Sequence, residues 1–402
     1  MKVGVWVDEY DPKQGGGASY QVTLLKALDL HQFAESINLI FLLRNRNCAN
    51  DFEKETLVLD YDLHYPKLLQ RFLAVVRRIA VLGPFVSQLV YSRRRRLADD
   101  VMLRMLSTHG IDFIYYPYQT TCYFPSFPFI TTNWDIAHKT VMPFTEILRE
   151  WDRREKWYNS TIHRAHLIFA ESESGKAELV ELCGVPEWKI KIVPLFSSGF
   201  ELIALSEDQL SGAMNLFGLD KYRYFIYPAQ FWRHKNHFNL IQAFSSFNRK
   251  NKDYKLVLTG SDKGIQNEVR EKVKAFGLDK SVVFTGFVDK VTLAAMMRQA
   301  AALVFPSFLG PTNIPLIDAL EMKVPIACSD LVGHREILGD CALYFSPSSH
   351  EDMANCMEDI VKEPVRSELL AISEKVADSS KFRLKVAIES LESHLLTLET
   401  YL

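Results

Sequence analysis

Residues 307–320 read Ser307-Phe-Leu-Gly-Pro-Thr-Asn-Ile-Pro-Leu-Ile-Asp-Ala-Leu320. The apolar run ahead of them, Ala300 to Phe305, has the length and composition of a buried strand. Gly310, Pro311, Thr312 and Asn313 then form a turn. Pro315 stands where the first turn of a helix tolerates a missing N–H, so a helix follows, and it carries Asp318. A strand thus hands over to a polar turn and a helix N-terminus. Free backbone N–H groups and the positive end of the helix dipole suit a phosphate there. A carboxylate about one turn further in suits ribose hydroxyls, as at other nucleotide sites. The stretch is expected to hold a nucleoside diphosphate through Gly310, Pro311, Thr312, Asn313 and Asp318.

The same strand-then-helix grammar runs outward in both directions. Apolar runs at Val3–Val7, Ile37–Leu43, Phe113–Tyr116, Phe129–Thr132, Leu167–Ala170 and Ile190–Pro194 read as strands. Helical periodicity follows the first of them, from Ser19 to Leu30. Patterning lapses at 197–220 and then restarts with strands at Tyr224–Tyr227, Lys255–Thr259, Val282–Thr285, Ala301–Phe305 and Ile326–Cys328. Helices are expected at His237–Asn248 and Ile265–Phe276, and the chain from Leu369 onward is helical in pattern. Alternation of this kind makes parallel sheets covered by helices. The prediction is an α/β protein of two doubly wound, Rossmann-like domains facing a cleft. The first spans 1–200 and the second 201–375, and a C-terminal helix at 376–402 returns to the first.

Composition sets limits. The 402 residues suffice for two ordinary domains, and 48% hydrophobic with 24% charged residues is a globular profile. A net charge of −2 argues against whole-protein affinity for nucleic acid. The six cysteines stand singly with no CxxC pair, as in a reduced cytoplasmic protein without a disulfide framework or Cys-rich metal site. The opening Met1-Lys-Val-Gly-Val-Trp-Val reads as a first strand rather than a leader, and no apolar stretch reaches transmembrane length. There is no G-x-G-x-x-G fingerprint and no G-x-x-x-x-G-K-[ST] loop, which argues against a dinucleotide dehydrogenase and a P-loop NTPase. No His, Cys, Asp or Glu cluster has metal-ligand spacing, so no metal is expected.

Three further segments carry candidate chemistry. Gly15, Gly16 and Gly17 follow the first strand, where glycines let backbone approach a ligand and a helix N-terminus aims at the same place; a Gly run is also a common flexible turn. Gln230-Phe-Trp-Arg-His-Lys-Asn follows the strand at Tyr224, and Arg233 and Lys235 are placed to neutralise a diphosphate leaving group. The bland alternative is a charged loop on a solvated edge, but open α/β sheets bind ligands at the carboxyl ends of their strands. Asn133-Trp-Asp-Ile-Ala-His also follows a strand, and Asp135 and His138 either orient a donor or acceptor hydroxyl or merely cap a helix.

The stretch from His64 to Ala98 holds Lys67, Arg71, Arg77, Arg78 and Arg93 to Arg96 with no acidic residue, interleaved with Leu68, Leu69, Phe72, Val75, Val76 and Ile79. Gly83-Pro84 divides it into two amphipathic pieces. Basic residues beside apolar ones suit an anionic membrane surface or a lipid-linked acceptor, and equally a pair of surface helices with a packed inner face.

Taken together these segments resemble the family 4 glycosyltransferases of the GT-B fold. The resemblance is clearest in Tyr227-Pro-Ala-Gln-Phe-Trp-Arg-His-Lys-Asn-His, Leu256-Val-Leu-Thr-Gly-Ser, Val282-Val-Phe-Thr-Gly-Phe-Val, the 307–320 stretch and Gly339-Asp-Cys-Ala-Leu-Tyr-Phe. It extends more weakly to the Gly15 loop, the Asp135–His138 segment and Glu171-Ser-Glu-Ser. It implies a retaining, metal-independent enzyme, hexosyltransferase-like, that needs no cofactor beyond its substrate. Such an enzyme moves a sugar from a nucleoside-diphosphate sugar to a carbohydrate or lipid-linked acceptor in bacterial-type polysaccharide or lipopolysaccharide assembly. It would work in the cytoplasm, with contact to the inner membrane face through 64–98. By resemblance Lys235 holds the diphosphate, helped by Thr312 and Asn313, while Asp135 and His138 lie near the transferred sugar and Gly15 to Gly17 near acceptor and phosphate. Asp318 takes the place of the second acid of the family's E-x7-E motif. The first acid is replaced by Gly310, and Gln230 stands where the family carries an Arg, so Arg233 is expected to supply that charge. The competing expectations are a GT-B nucleotide-sugar epimerase or hydrolase and a non-catalytic member of a polymer-assembly complex.

Overall fold

The computed structural model describes residues 1–8, 16–44, 51–59, 100–119, 124–141, 144–378 and 381–400. Gly15 and the basic stretch 64–98 lie outside them. The first sheet contains β1 (Lys2–Val7), β2 (Asn38–Leu43), β3 (Thr56–Val58), β4 (Phe113–Tyr116), β5 (Phe129–Asn133), β6 (Leu167–Ala170) and β7 (Ile190–Ile192). Its order is β3-β2-β1-β4-β5-β6-β7, parallel throughout. The second sheet contains β8 (Tyr224–Pro228), β9 (Lys255–Thr259), β10 (Val282–Gly286), β11 (Ala302–Phe305), β12 (Ile326–Ser329) and β13 (Ala342–Phe345). Its order is β10-β9-β8-β11-β12-β13, also parallel. This is the pair of doubly wound sheets that the strand pattern predicts.

Continuous burial explains the continuous apolar runs: every residue of β4, β6 and β11 is buried because helices cover both faces of a parallel sheet. Alternation still sorts side chains by face. Val3, Val5 and Val7 join one core, and Trp6 joins another with Leu42, Ile114 and Tyr116. The first of these cores continues into the second domain through Leu195, Phe196 and Phe200. The helix Glu207–Phe217, which follows the break, packs against Lys290–Arg298 and so belongs with the second sheet. The helix Leu384–Glu399 lies on the first domain: Glu392 accepts hydrogen bonds from His31 Nε2 (2.9 Å) and the Ala34 amide (2.7 Å). In the same helix Ser390 Oγ donates to the Ile192 carbonyl at 2.9 Å.

Each sheet reverses its winding once, at β1/β4 and at β8/β11. Such switch points open crevices outside the carboxyl ends of the strands. Here the two crevices face one another and merge.

Candidate active site

Two adjoining cavities fill the space between the domains, of about 470 Å³ and 360 Å³, with Tyr20, Gln230, Ile314 and Pro315 on the shared wall. The smaller holds Lys235. The segment after β8 bridges to the segment after β9 through Phe231 and Asp262, then makes a turn at Arg233–Lys235. Four hydrogen bonds fix that turn. Tyr227 Oη donates to the Lys235 carbonyl at 2.7 Å, the Phe308 amide donates to the His234 carbonyl at 2.9 Å, and Asn236 Nδ2 donates to the carbonyls of Pro306 (2.9 Å) and Pro347 (2.7 Å). The Lys235 ammonium is thereby brought over the Phe305 ring and within 3.2 Å of Asn313 Oδ1. Burial pushes the Lys235 ammonium down to about 8, with the charge of Asp135 opposing the fall. Among the described residues no carboxylate forms an ion pair with it.

The hydrogen bonds behind Lys235 have a determinate polarity. The Ser329 carbonyl can only accept, so His334 Nδ1 carries the proton that reaches it at 2.8 Å. His334 Nε2 is then an acceptor for Asn313 Nδ2 at 2.9 Å, since burial holds the imidazole neutral, down to about 4. The second Nδ2 hydrogen goes to the Leu309 carbonyl at 3.2 Å. Asn313 must therefore present its Oδ1 to Lys235. Gly310 makes this packing possible: at φ +149° a Cβ on it would lie 2.0 Å from Asn313 Nδ2. Gly333 does the same for the turn itself, since a Cβ there would lie 1.6 Å from the Pro311 carbonyl oxygen.

Across the crevice stand Gly17, Tyr20, Trp134, Asp135 and Glu171 of the first domain. Glu171, at the end of β6, is 6% exposed, and its Oε2 accepts a hydrogen bond from the Thr312 hydroxyl of the second domain. Burial raises its carboxyl well above the usual range against that hydrogen bond, and the charge of Asp135 adds to the rise. Trp134 meets Tyr20 edge to face with centroids 5.7 Å apart.

The larger cavity reaches past Thr259, Gly260, Ser261, Phe287 and Val288 to Asp318. Asp318 accepts from the Ser198 amide (2.6 Å) and the Ser198 hydroxyl (2.8 Å), so the linker between the domains holds both of its oxygens. Burial raises it to about 7 despite those bonds.

Most of the residues singled out in the sequence line this space: Gly17, Gln230, Lys235, Gly310, Pro311, Thr312, Asn313, Asp135 and Asp318. Gly16 begins the helix Gly16–Leu30. Two are placed elsewhere. Arg233 is absent from the walls of both cavities; its side chain, 40% exposed, pairs with Glu268 at 2.7 Å. The turn pinned by Tyr227 and Asn236 brings His234 and Lys235 to the cavity wall and leaves Arg233 outside it. His138 is buried against Tyr158, accepts from Arg154 Nε at 3.2 Å and faces Glu155 Oε1 at 3.0 Å. Its Nδ1 being an acceptor, Nε2 donates to Glu155, and neither nitrogen addresses the crevice. Asp135 lines the crevice while also pairing with Arg154 and accepting from the Ala137 amide at 2.8 Å. Among the residues not singled out, Glu171, Trp134 and His334 carry the most weight. Glu171 had a signal, a carboxylate directly after a fully apolar strand; His334 had none, because its partners lie in a different loop.

Residues 216–377 match the family Glycosyl transferases group 1. O-antigen chain mannosyltransferase B of Escherichia coli is 24% identical over 196 residues, 48% of this chain and 51% of that protein. The chain thus spans about half the length of that relative. Among solved structures, Anabaena HepE in complex with UDP and glucose superposes with a TM-score of 0.68 at 16% identity, covering 99% of this chain and 100% of that one. Sucrose-phosphate synthase of Thermosynechococcus elongatus gives 0.71 at 16% identity over 100% and 99%. At such identities the superpositions establish the fold.

Proposed function

We propose, for a chain whose residues 216–377 match the Glycosyl transferases group 1 family, that it moves a sugar from a nucleoside-diphosphate sugar to an acceptor hydroxyl. The single observation that carries this reading is Lys235: a desolvated ammonium with an amide oxygen at 3.2 Å for company, at the mouth of the helix Ile314–Glu321. Such a group is short of an anion. A diphosphate supplies one, and the charge that builds on it as the glycosidic bond breaks is what a preorganised cation stabilises. The nucleoside then extends into the larger cavity, whose Phe287 and Val288 suit a base. The sugar remains in the smaller one beside Glu171.

Retention at the anomeric carbon and independence of metal are parts of the same proposal and rest on the motif resemblance alone; polysaccharide or lipopolysaccharide assembly is supported by the relative's name as an O-antigen chain mannosyltransferase. Among the described residues no group of three or more His, Cys, Asp or Glu could hold a metal ion, and Lys235 carries the leaving-group charge in this reading. Also among them, no helix is long and apolar enough to cross a membrane. Peripheral contact with an anionic membrane through 64–98 is proposed on the basic, apolar character of that stretch.

The test is a product assay on UDP- and GDP-sugars with and without carbohydrate acceptors. Acceptor-dependent release of the nucleoside diphosphate is expected, and Lys235→Ala should lower kcat by roughly 10²-fold or more. Product formed equally without acceptor would replace transfer by hydrolysis or epimerisation.

A further inference from the structure

We propose that Glu171 and Thr312, one from each domain, form the subsite that reads hydroxyl groups of the transferred sugar; this rests on the nucleotide-sugar reading above. The cavity around Lys235 has a clear division of labour. Its second-domain wall offers a cation and a helix N-terminus, which suit phosphate. Its first-domain wall offers two carboxyl groups, Asp135, tied to Arg154 and to the Ala137 amide, and Glu171. Glu171 alone of the two is met from the opposite domain.

Several observations make Glu171 more than a packed side chain. It sits at the carboxyl end of β6, the position from which an α/β sheet presents ligand-binding groups. It is buried, yet lines the cavity, and among the described residues its one hydrogen-bond partner is a small hydroxyl that lines the same cavity. A carboxyl group kept neutral can both donate and accept, as can the threonine hydroxyl. A sugar hydroxyl is also both donor and acceptor, so the pair matches it without placing a second negative charge beside a diphosphate. The place it occupies is notable: Thr312 lies two positions from Gly310, which cannot carry a side chain without striking Asn313. A carboxyl group cannot come from that turn, and the first domain supplies one across the gap. Because the two halves belong to different domains, the subsite exists only with the crevice closed.

The experiment compares calorimetric affinities of the full chain and of Glu171→Leu, Glu171→Gln and Thr312→Val for UDP-glucose, UDP-galactose and GDP-mannose, and for UDP and GDP alone. For the nucleotide sugar that the wild type prefers, Glu171→Leu and Thr312→Val should each raise Kd about tenfold, the scale of a buried hydroxyl left unpaired. Preference among the sugars should shrink with it. Glu171→Gln, neutral and equally able to donate and accept, should keep most of the affinity. Glu171→Leu and Glu171→Gln, which leave the phosphate-binding turn intact, should bind the bare nucleotide as the wild type does. Unchanged sugar preference in Glu171→Leu, or an equal loss for bare nucleotide and nucleotide sugar, overturns the assignment. A wild type that binds no nucleotide removes the reading beneath it; a wild type that binds nucleotide while the variants keep sugar preference removes this inference alone. Should Glu171→Leu fold poorly, Thr312→Val reads the same subsite from the other domain.

Discussion

At the scale of single residues, the account depends on which way an amide points. Asn313 offers its oxygen to Lys235 because His334, fixed by the Ser329 carbonyl, can only accept from the other end of the amide. His334→Phe removes that acceptor and frees the amide to turn its Nδ2 toward the ammonium. The expected result is a fall of about tenfold in kcat/KM, the scale of one buried hydrogen bond left unmade. Nucleotide binding should also show an altered pH profile, whereas a purely structural defect would lower the melting temperature and leave the profile in place. Lys235 and Asn313 were legible as polar residues in the loops that follow strands, and Asp318 as a carboxylate in the helix beyond. Their connections were not, since His334 reaches them from the helix Val332–Leu338 and Ser198 from the linker, both distant in the chain. Arg233 and His138 show the converse: a charge or an imidazole two or three residues from a site has no side in the sequence, and backbone pinning or an aromatic neighbour decides where it faces.

At the scale of elements, the turn Gly310–Asn313 is shaped by what its neighbours leave out. Gly333 opens the helix Val332–Leu338 so closely beneath Pro311 that no side chain fits. Gly333→Ala should therefore displace the turn, lowering stability by about 1–3 kcal/mol as overpacking does. Nucleotide affinity should fall with it; thermal melts and calorimetry on one preparation check both, and wild-type affinity would show that the turn does not bind the nucleotide. Long strands with unbroken apolar runs were legible to within a residue or so, as at Phe113–Tyr116 and Lys255–Thr259. The edge strands β3 and β13 were not. Thr56–Val58 has three residues behind Glu53, Lys54 and Glu55, and Ala342–Phe345 is only half covered, so neither presents a run long enough to stand out. A doubly wound fold is nevertheless settled by its central strands.

At the scale of the whole molecule, the crevice is closed by polar contacts between the domains: Glu336 accepts from the Glu173 and Ser174 amides at 2.8 and 2.9 Å, and Glu146 accepts from the His234 amide at 3.1 Å. The burial of Asp318 beneath the linker adds a pH dependence. The folded carboxyl titrates at about 7 against a usual 3.8, so the folded chain holds the proton more tightly. Its contribution is complete below the unfolded value and is lost as pH rises through 7. Melting temperature should fall less steeply between pH 4 and 7 in Asp318→Asn than in the wild type, and equal slopes would show that this group is not the source. The two-domain plan was legible because patterning restarts after 197–220; the closure was not, because each of its contacts joins residues far apart in the chain. The central claim, that Lys235 grips a diphosphate between the domains, is tested most directly by calorimetry of UDP and GDP binding from pH 7 to 9.5 with wild type and Lys235→Ala. Only the protonated amine attracts the anion, so wild-type affinity should be highest below pH 8 and decline above it with proton uptake on binding, while Lys235→Ala binds weakly with a flat profile. Wild-type affinity in Lys235→Ala, with the same pH profile, would contradict it.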